Sequence, residues 1–227
     1  FFARGGHGVL RVLDRIDWSL LARHPRAYVG YSDLTPFLNA LVDRLSIVSF
    51  HGPMVAVEMA RGLEPAEEHA LLEALAGEFP VERKLQRRLV PGAAKGILMG
   101  GCLTLLAATL GTSFATRFTG RVLFFEDVGE PPYRVDRMLT QLRLSGTLDD
   151  VRGVVIGGSL PASDEGQGEW RGEARELLND LQVPVAAGLS SGHETPNLTV
   201  PLGVDVQLSG EEMHLIFGSS SPSGEGS

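Results

Sequence analysis

The apolar residues of this chain change their spacing several times, and each change predicts an element. Ala27-Tyr28-Val29-Gly30-Tyr31 is short, apolar and aromatic, which predicts a buried strand. From Leu34 the period turns helical, with Leu34, Phe37, Leu38, Leu41, Val42 and Leu45 on one face. Only Ser32 and Asp33 lie between. A strand-to-helix turn this sharp holds a side chain at the carboxyl end of a sheet and aims the first free N–H groups of the helix toward it. Further strands are expected at 1–3, 47–50, 96–101, 121–125, 151–156, 183–186, 204–208 and 213–217. Helices are expected at 9–13, 14–24, 65–79, 103–110, 134–144 and 173–181. Residues 81–91 are basic and predict a connection or edge strand. Residues 161–169 and the small, polar stretch 188–197 predict loops, as does the Ser209-Gly210 junction, and Gly218 to Ser227 predicts a disordered Gly/Ser-rich tail.

The alternation of strands and helices predicts an α/β fold. It lapses between Phe79 and Lys95, which places a first domain at 1–80 and a second at 95–217. The chain opens on Phe1-Phe2-Ala3 without a methionine, like the end of a strand, and further sequence is expected upstream.

Composition narrows the field. Hydrophobic residues make up 43% and charged residues 21%, ordinary for a soluble globular protein. No apolar run reaches membrane-span length. A net charge of −8 disfavours nucleic acid and anionic membranes as partners. With Cys102 the only cysteine, no intrachain disulfide forms and a reducing compartment is expected.

The candidate chemistry centres on Ser32. It is either a nucleophile met by backbone donors or an ordinary helix cap. Arg4-Gly5-Gly6-His7-Gly8 suits an anion or oxyanion turn, although it lacks both dinucleotide and Walker patterns. His51 falls just past a strand end, a position for ligand contact or for a turn histidine bonded to backbone. Glu126 ends a strand and suits an orienting acid or an ion pair with Arg134 or Arg137. Asp127 and Glu130 remain alternatives for the acid. His193, in the Gly-rich stretch, suits a general base or a structural hydrogen bond. The order serine, acid, histidine fits a triad, but order alone decides nothing. The hydrolase elbow G-x-S-x-G is absent, since Leu34 stands two residues after Ser32. His7, His51 and His193 lack tight ligand spacing, so no metal or other cofactor is expected.

Five segments in order carry a resemblance: Arg4-Gly5-Gly6-His7-Gly8; Val29-Gly30-Tyr31-Ser32-Asp33; Phe50-His51-Gly52-Pro53-Met54; Phe125-Glu126-Asp127-Val128-Gly129-Glu130 with Tyr133 to Leu139; and Gly192-His193 with Pro196-Asn197-Leu198-Thr199-Val200-Pro201-Leu202-Gly203. Together they resemble the LD-carboxypeptidase family of serine peptidases, which includes the microcin-C self-immunity peptidases. The resemblance implies a Rossmann-like N-terminal domain, a smaller β-rich swivelling C-terminal domain, a site between them and a homodimer. It implies a cytoplasmic hydrolase of murein recycling that releases terminal D-alanine from tetrapeptides. Ser32 falls on the nucleophile, Glu126 on the acid and His193 on the base, with oxyanion donors near Gly6 and Asp33. Two departures stand out: the family's strands upstream of the Arg-Gly-Gly turn are missing, and His7 replaces an expected tyrosine. An immunity-type amidase acting on peptidyl- or aminoacyl-nucleotides remains open, as does a non-catalytic or truncated inactive relative.

Overall fold

The computed structural model of the protein describes residues 1–160, 176, 178–209 and 213–218. The loop expected at 161–169, the tail beyond Gly218 and residues 173–175 and 177 of the helix expected at 173–181 lie outside the described residues, as does Gly210 of the expected Ser209-Gly210 junction.

The glycine turn leads not into a full helix but into two short 3-10 turns, Val9–Arg11 and Leu13–Arg15, followed by α1 (Trp18–Arg23). Asp17 caps α1, its Oδ1 accepting from the Leu20 N–H at 3.0 Å. The expected strand at 27–31 is paired only at β1 (Val29–Gly30). A 3-10 turn, Ser32–Leu34, then feeds α2 (Thr35–Leu45). β2 (Ser49–His51) lies parallel to β1, and α3 (Pro65–Ala76) follows. α3 begins with a capping box in which Glu64 and Glu67 satisfy each other's backbone N–H groups.

The basic stretch at 81–91 forms two strands, β3 (Val81–Lys84) and β4 (Arg87–Val90). The rest alternates: β5 (Ala94–Cys102), α4 (Leu103–Ala108), β6 (Arg121–Val128), α5 (Pro132–Leu144), β7 (Gly153–Leu160) and β8 (Val185–Gly192), then β9 (Val200–Leu202), β10 (Asp205–Ser209) and β11 (His214–Phe217). The expected loop at 188–197 needs correction, because its first half continues β8. That stretch is small because it is crowded, as the site shows below. β9 was not anticipated. Its three residues include Pro201 and leave too short a pattern for period-2 reading.

Two sheets result. The first has the order β1-β2-β9, and the second β3-β11-β10-β5-β6-β7-β8-β4. Strands β5 to β8 run parallel in the second sheet, flanked by antiparallel strands on both sides. β3 and β4 form its opposite edges although only Leu85 and Gln86 separate them. A link that short spans roughly 11 Å at most, so the sheet must roll until its edges meet. The roll closes over Leu85, Leu98, Leu208, Leu215 and Phe217, a core continuous with Leu38 and Leu41 of α2. A second core packs Leu103 and Leu106 of α4 and Val135 and Leu139 of α5 over the outer face of the sheet.

Helix α2 is fixed to the large sheet by buried polar contacts. Asn39 donates to Gly100 O at 2.8 Å and accepts from Gly100 N at 3.0 Å. Thr35 Oγ1 accepts from Cys102 N at 3.0 Å. Buried bonds of this kind are costly to break once one partner is lost. They set the position of the turn before α2 against the end of β5. Among the described residues, no helix is long and apolar enough to cross a membrane.

Candidate active site

Ser32 sits where β1 ends and the chain must turn at once into helix. It pays for that turn with φ of 63°, a left-handed conformation rare outside glycine. The strained turn pushes its Oγ outward. Gly5 lets the N-terminal turn approach it closely, since a Cβ there would lie 3.0 Å from Ser32 Cβ. Asp33 ties the two turns together, its buried Oδ2 accepting from Val9 N at 3.0 Å. Ser32 makes no capping bond to the helix, so the cap reading fails.

Its hydroxyl faces His193 instead. His193 Nε2 lies 3.2 Å from Ser32 Oγ, and His193 Nδ1 lies 2.7 Å from Glu126 Oε2. The same oxygen accepts from the His193 backbone N–H at 3.1 Å. With Nδ1–H donating to Glu126, Nε2 is left as the acceptor facing the serine. Glu126 is fully buried. Room for it comes from Gly192, at φ 118°, where a Cβ would fall 2.5 Å from Glu126 Oε2. Small residues at the end of β8 therefore reflect a buried carboxylate pressing on that strand.

The second oxygen of Glu126 faces a residue whose role the sequence left open. His51 is fully buried at the end of β2, with Nε2 3.5 Å from Glu126 Oε1 and Nδ1 3.3 Å from Ser191 Oγ. At 3.5 Å the first is an electrostatic contact rather than a formed hydrogen bond. The ring stands edge-on to Phe124 at 5.0 Å. His51 is thus no turn histidine bonded to backbone. Its partner comes from a distant strand, which no local signal announces.

Electrostatics follows from these contacts. Burial opposes the charge on Glu126, but His193 and His51 outweigh it and hold the carboxyl at about 2. Burial likewise works against a charged His193. The bond to Glu126 overcomes it, with Asp127 and Glu58 adding to the field, and lifts the imidazole above its usual 6.5.

The histidine loop is held from several sides. Asn197 Oδ1 accepts from Gly192 N at 2.9 Å, and Asn197 N donates to buried Glu67 Oε1 at 2.7 Å. Arg61 pairs with the same Glu67 oxygen. The Tyr31 ring stands edge-on to His193 at 4.9 Å, and its hydroxyl donates to Glu58 Oε1 at 2.7 Å. Burial and that carboxylate push the phenol well above its usual range, so it remains a donor. Glu58 was legible only as a lone carboxylate within the apolar run from Met54 to Met59.

The alternative acids lie elsewhere. Asp127 accepts from Thr104 N and Oγ1, each at 2.8 Å, on the other face of β6. Glu130 pairs with Arg134 at 2.8 Å, and Arg137 stacks on Tyr133. A cleft of about 450 Å3 opens beside Ser32 and His193, walled by Arg4, Gly5, Gly6, Tyr31 and Met54. Another, of about 400 Å3, lies at the far end of α2 among Asp43, Arg44, Phe114 and Arg121, and holds no nucleophile–base pair.

Comparison with known proteins shows the family of the chain. Residues 1–52 match the model of the LD-carboxypeptidase N-terminal domain, and residues 95–208 that of the LD-carboxypeptidase C-terminal domain. The chain is 43% identical over 210 residues to a Streptomyces coelicolor protein that carries the name carboxypeptidase, covering 91% of this chain and 67% of that one. It is 30% identical over 225 residues to a murein tetrapeptide carboxypeptidase of Pseudomonas aeruginosa, covering 92% and 72%. The solved structure of a muramoyltetrapeptide carboxypeptidase from Oxalobacter formigenes superposes with a TM-score of 0.83 at 34% identity, covering 95% of this chain and 77% of that one.

Proposed function

Because the chain belongs to the LD-carboxypeptidase family, we propose that it is a serine carboxypeptidase that releases terminal D-alanine from murein tetrapeptides by cutting the amide between an L-centre and the D-residue. The observation that carries this reading is His193, which links Ser32 at 3.2 Å and Glu126 at 2.7 Å across 161 residues of sequence. The nucleophile stands on residues 1–80, and the acid and base on 95–217. The reading includes a cytoplasmic location and a homodimer, both taken from the family resemblance.

Ser32 Oγ attacks the scissile carbonyl carbon as its proton passes to His193 Nε2. Glu126 holds the resulting imidazolium in place without taking the proton itself. The oxyanion is met by backbone N–H groups near Gly6 and Asp33. His193 then gives its proton to the leaving amine, the C–N bond breaks, and an acyl ester remains on Ser32. Water attacks that ester with His193 again taking the proton, and His193 returns it to Ser32.

Mass spectrometry of products from murein tetrapeptides tests the reading. Release of D-alanine is expected, with kcat lowered at least about a thousandfold by Ser32→Ala while the fold survives. His193→Ala should cost nearly as much, and the double variant little more. Near wild-type turnover in Ser32→Ala would remove the serine mechanism. Cleavage of an aminoacyl-nucleotide in preference to the tetrapeptide would move the chain to the immunity-type branch.

A further inference from the structure

The cleft beside Ser32 has one fixed cation in its wall. Among the described residues that line it, Arg4 carries the only guanidinium or ammonium group. Arg4 is exposed, and its guanidinium makes no hydrogen bond or ion pair with a described residue. Most other charged groups nearby are occupied: Asp33 by Val9, Glu58 by Tyr31 and Met54, and Glu126 by His193. The Arg4 side chain folds back over Gly6, with Nη2 3.4 Å from where a Cβ on that glycine would lie. Gly5, its neighbour in sequence, packs against the Ser32 side chain. The guanidinium and the nucleophile thus line the same cleft.

A peptide cut at its last amide brings a second group to that place. Its terminal carboxylate follows the scissile carbonyl by one residue, a spacing of about 3.8 Å along the chain. That anion enters a site whose buried groups include ionised Glu126 and the nearby Glu58 and Asp127. The rest of the wall offers Tyr31, Met54, Ala56 and Val57 and no other permanent positive charge. Without a counter-ion the carboxylate would be repelled. A guanidinium meets a carboxylate with two parallel hydrogen bonds, a geometry that lysine does not reproduce.

We propose that Arg4 is the receptor for the free α-carboxylate of the substrate, and that it restricts the site to the last residue of a peptide. The proposal rests on the carboxypeptidase reading above and assigns the residue that would enforce it.

The test compares kcat/KM for a murein tetrapeptide ending in a free carboxylate with its C-terminal amide, in wild type, Arg4→Gln and Arg4→Lys. Wild type should favour the acid by roughly 10- to 100-fold, the range for hydrogen bonds to charged groups. Arg4→Gln should reduce that ratio to within about threefold, mainly through KM, and Arg4→Lys should keep part of it. Equal slowing of both substrates by Arg4→Gln, or no preference in wild type, would overturn the assignment. If Arg4→Gln fails to fold, product inhibition of wild type decides instead: D-alanine should inhibit at least about tenfold more strongly than D-alaninamide, and equal inhibition would overturn the proposal. Failure of the functional reading looks different, because wild type would then cleave neither peptide.

Discussion

Glu126 and Asp127 are neighbours on β6, both buried, yet their carboxyls are driven in opposite directions. Burial raises both. On one face of the strand, His193 and His51 more than cancel that effect and leave Glu126 a permanent anion. On the other face, Asp127 meets Thr104, the Val128 N–H and the Cys102 thiol, with no cation among its described partners. Those donors lower its carboxyl, but burial prevails with help from the Glu126 charge, and Asp127 ends above the usual range. Depth in the protein therefore does not decide which carboxylate orients a histidine. The partner that each face presents decides it.

Substitution at the two positions breaks the comparison most sharply. Glu126→Gln should lower kcat about a thousandfold or more, because the histidine loses the anion that fixes its tautomer. Asp127→Asn should stay within about fivefold in turnover and act mainly on Tm, through lost bonds at the start of α4. Steady-state kinetics with thermal melts on both variants provides the check, and the reverse ranking would make Asp127 the functional acid.

The pH profile sharpens the same contrast. Protonated His193 cannot accept the serine proton, and its pKa is raised above 6.5. Turnover should therefore fall about tenfold per unit on the acid side and level off above that raised value. Glu126 keeps its charge down to about 2, so it adds no second break between roughly pH 4 and 6. A single rising limb centred below 6.5 would contradict the arrangement.

A smaller loss than that of Glu126→Gln is expected at His51. His51→Phe preserves a ring against Phe124 but removes the nitrogen facing Glu126 Oε1. A loss of about tenfold in kcat with KM nearly unchanged is expected, since the carboxylate is then held through one oxygen only. Unchanged kcat, measured beside a wild-type melting curve, would reduce His51 to packing.

Much of this site was legible because its residues lie where the sequence changes period. Ser32 falls between an apolar run and a helical face, and Glu126 at the end of a strong strand. Positions 188–192 misled for a physical reason: glycine and serine are common in loops, and equally common where a strand must yield space to a buried group. His51 was ambiguous because its partners belong to β6 and β8. β9 was missed because its pairing with β2 is decided by the fold rather than by its three residues. Asp33 was expected only as a backbone donor, whereas its side chain also joins the serine turn to the glycine turn.

The return of β9 to β2 has a consequence for timing. The strand that completes the small sheet lies just after the histidine loop, so the machinery closes only when the late part of the chain is in place. On a ribosome moving at about 5–20 residues per second, Ser32 emerges roughly 8 to 30 s before His193. Through that interval it is an ordinary alcohol with no base beside it. In the proposed mechanism the enzyme is therefore silent while it is being made, and the long separation of Ser32 from His193 in sequence acts as the safeguard.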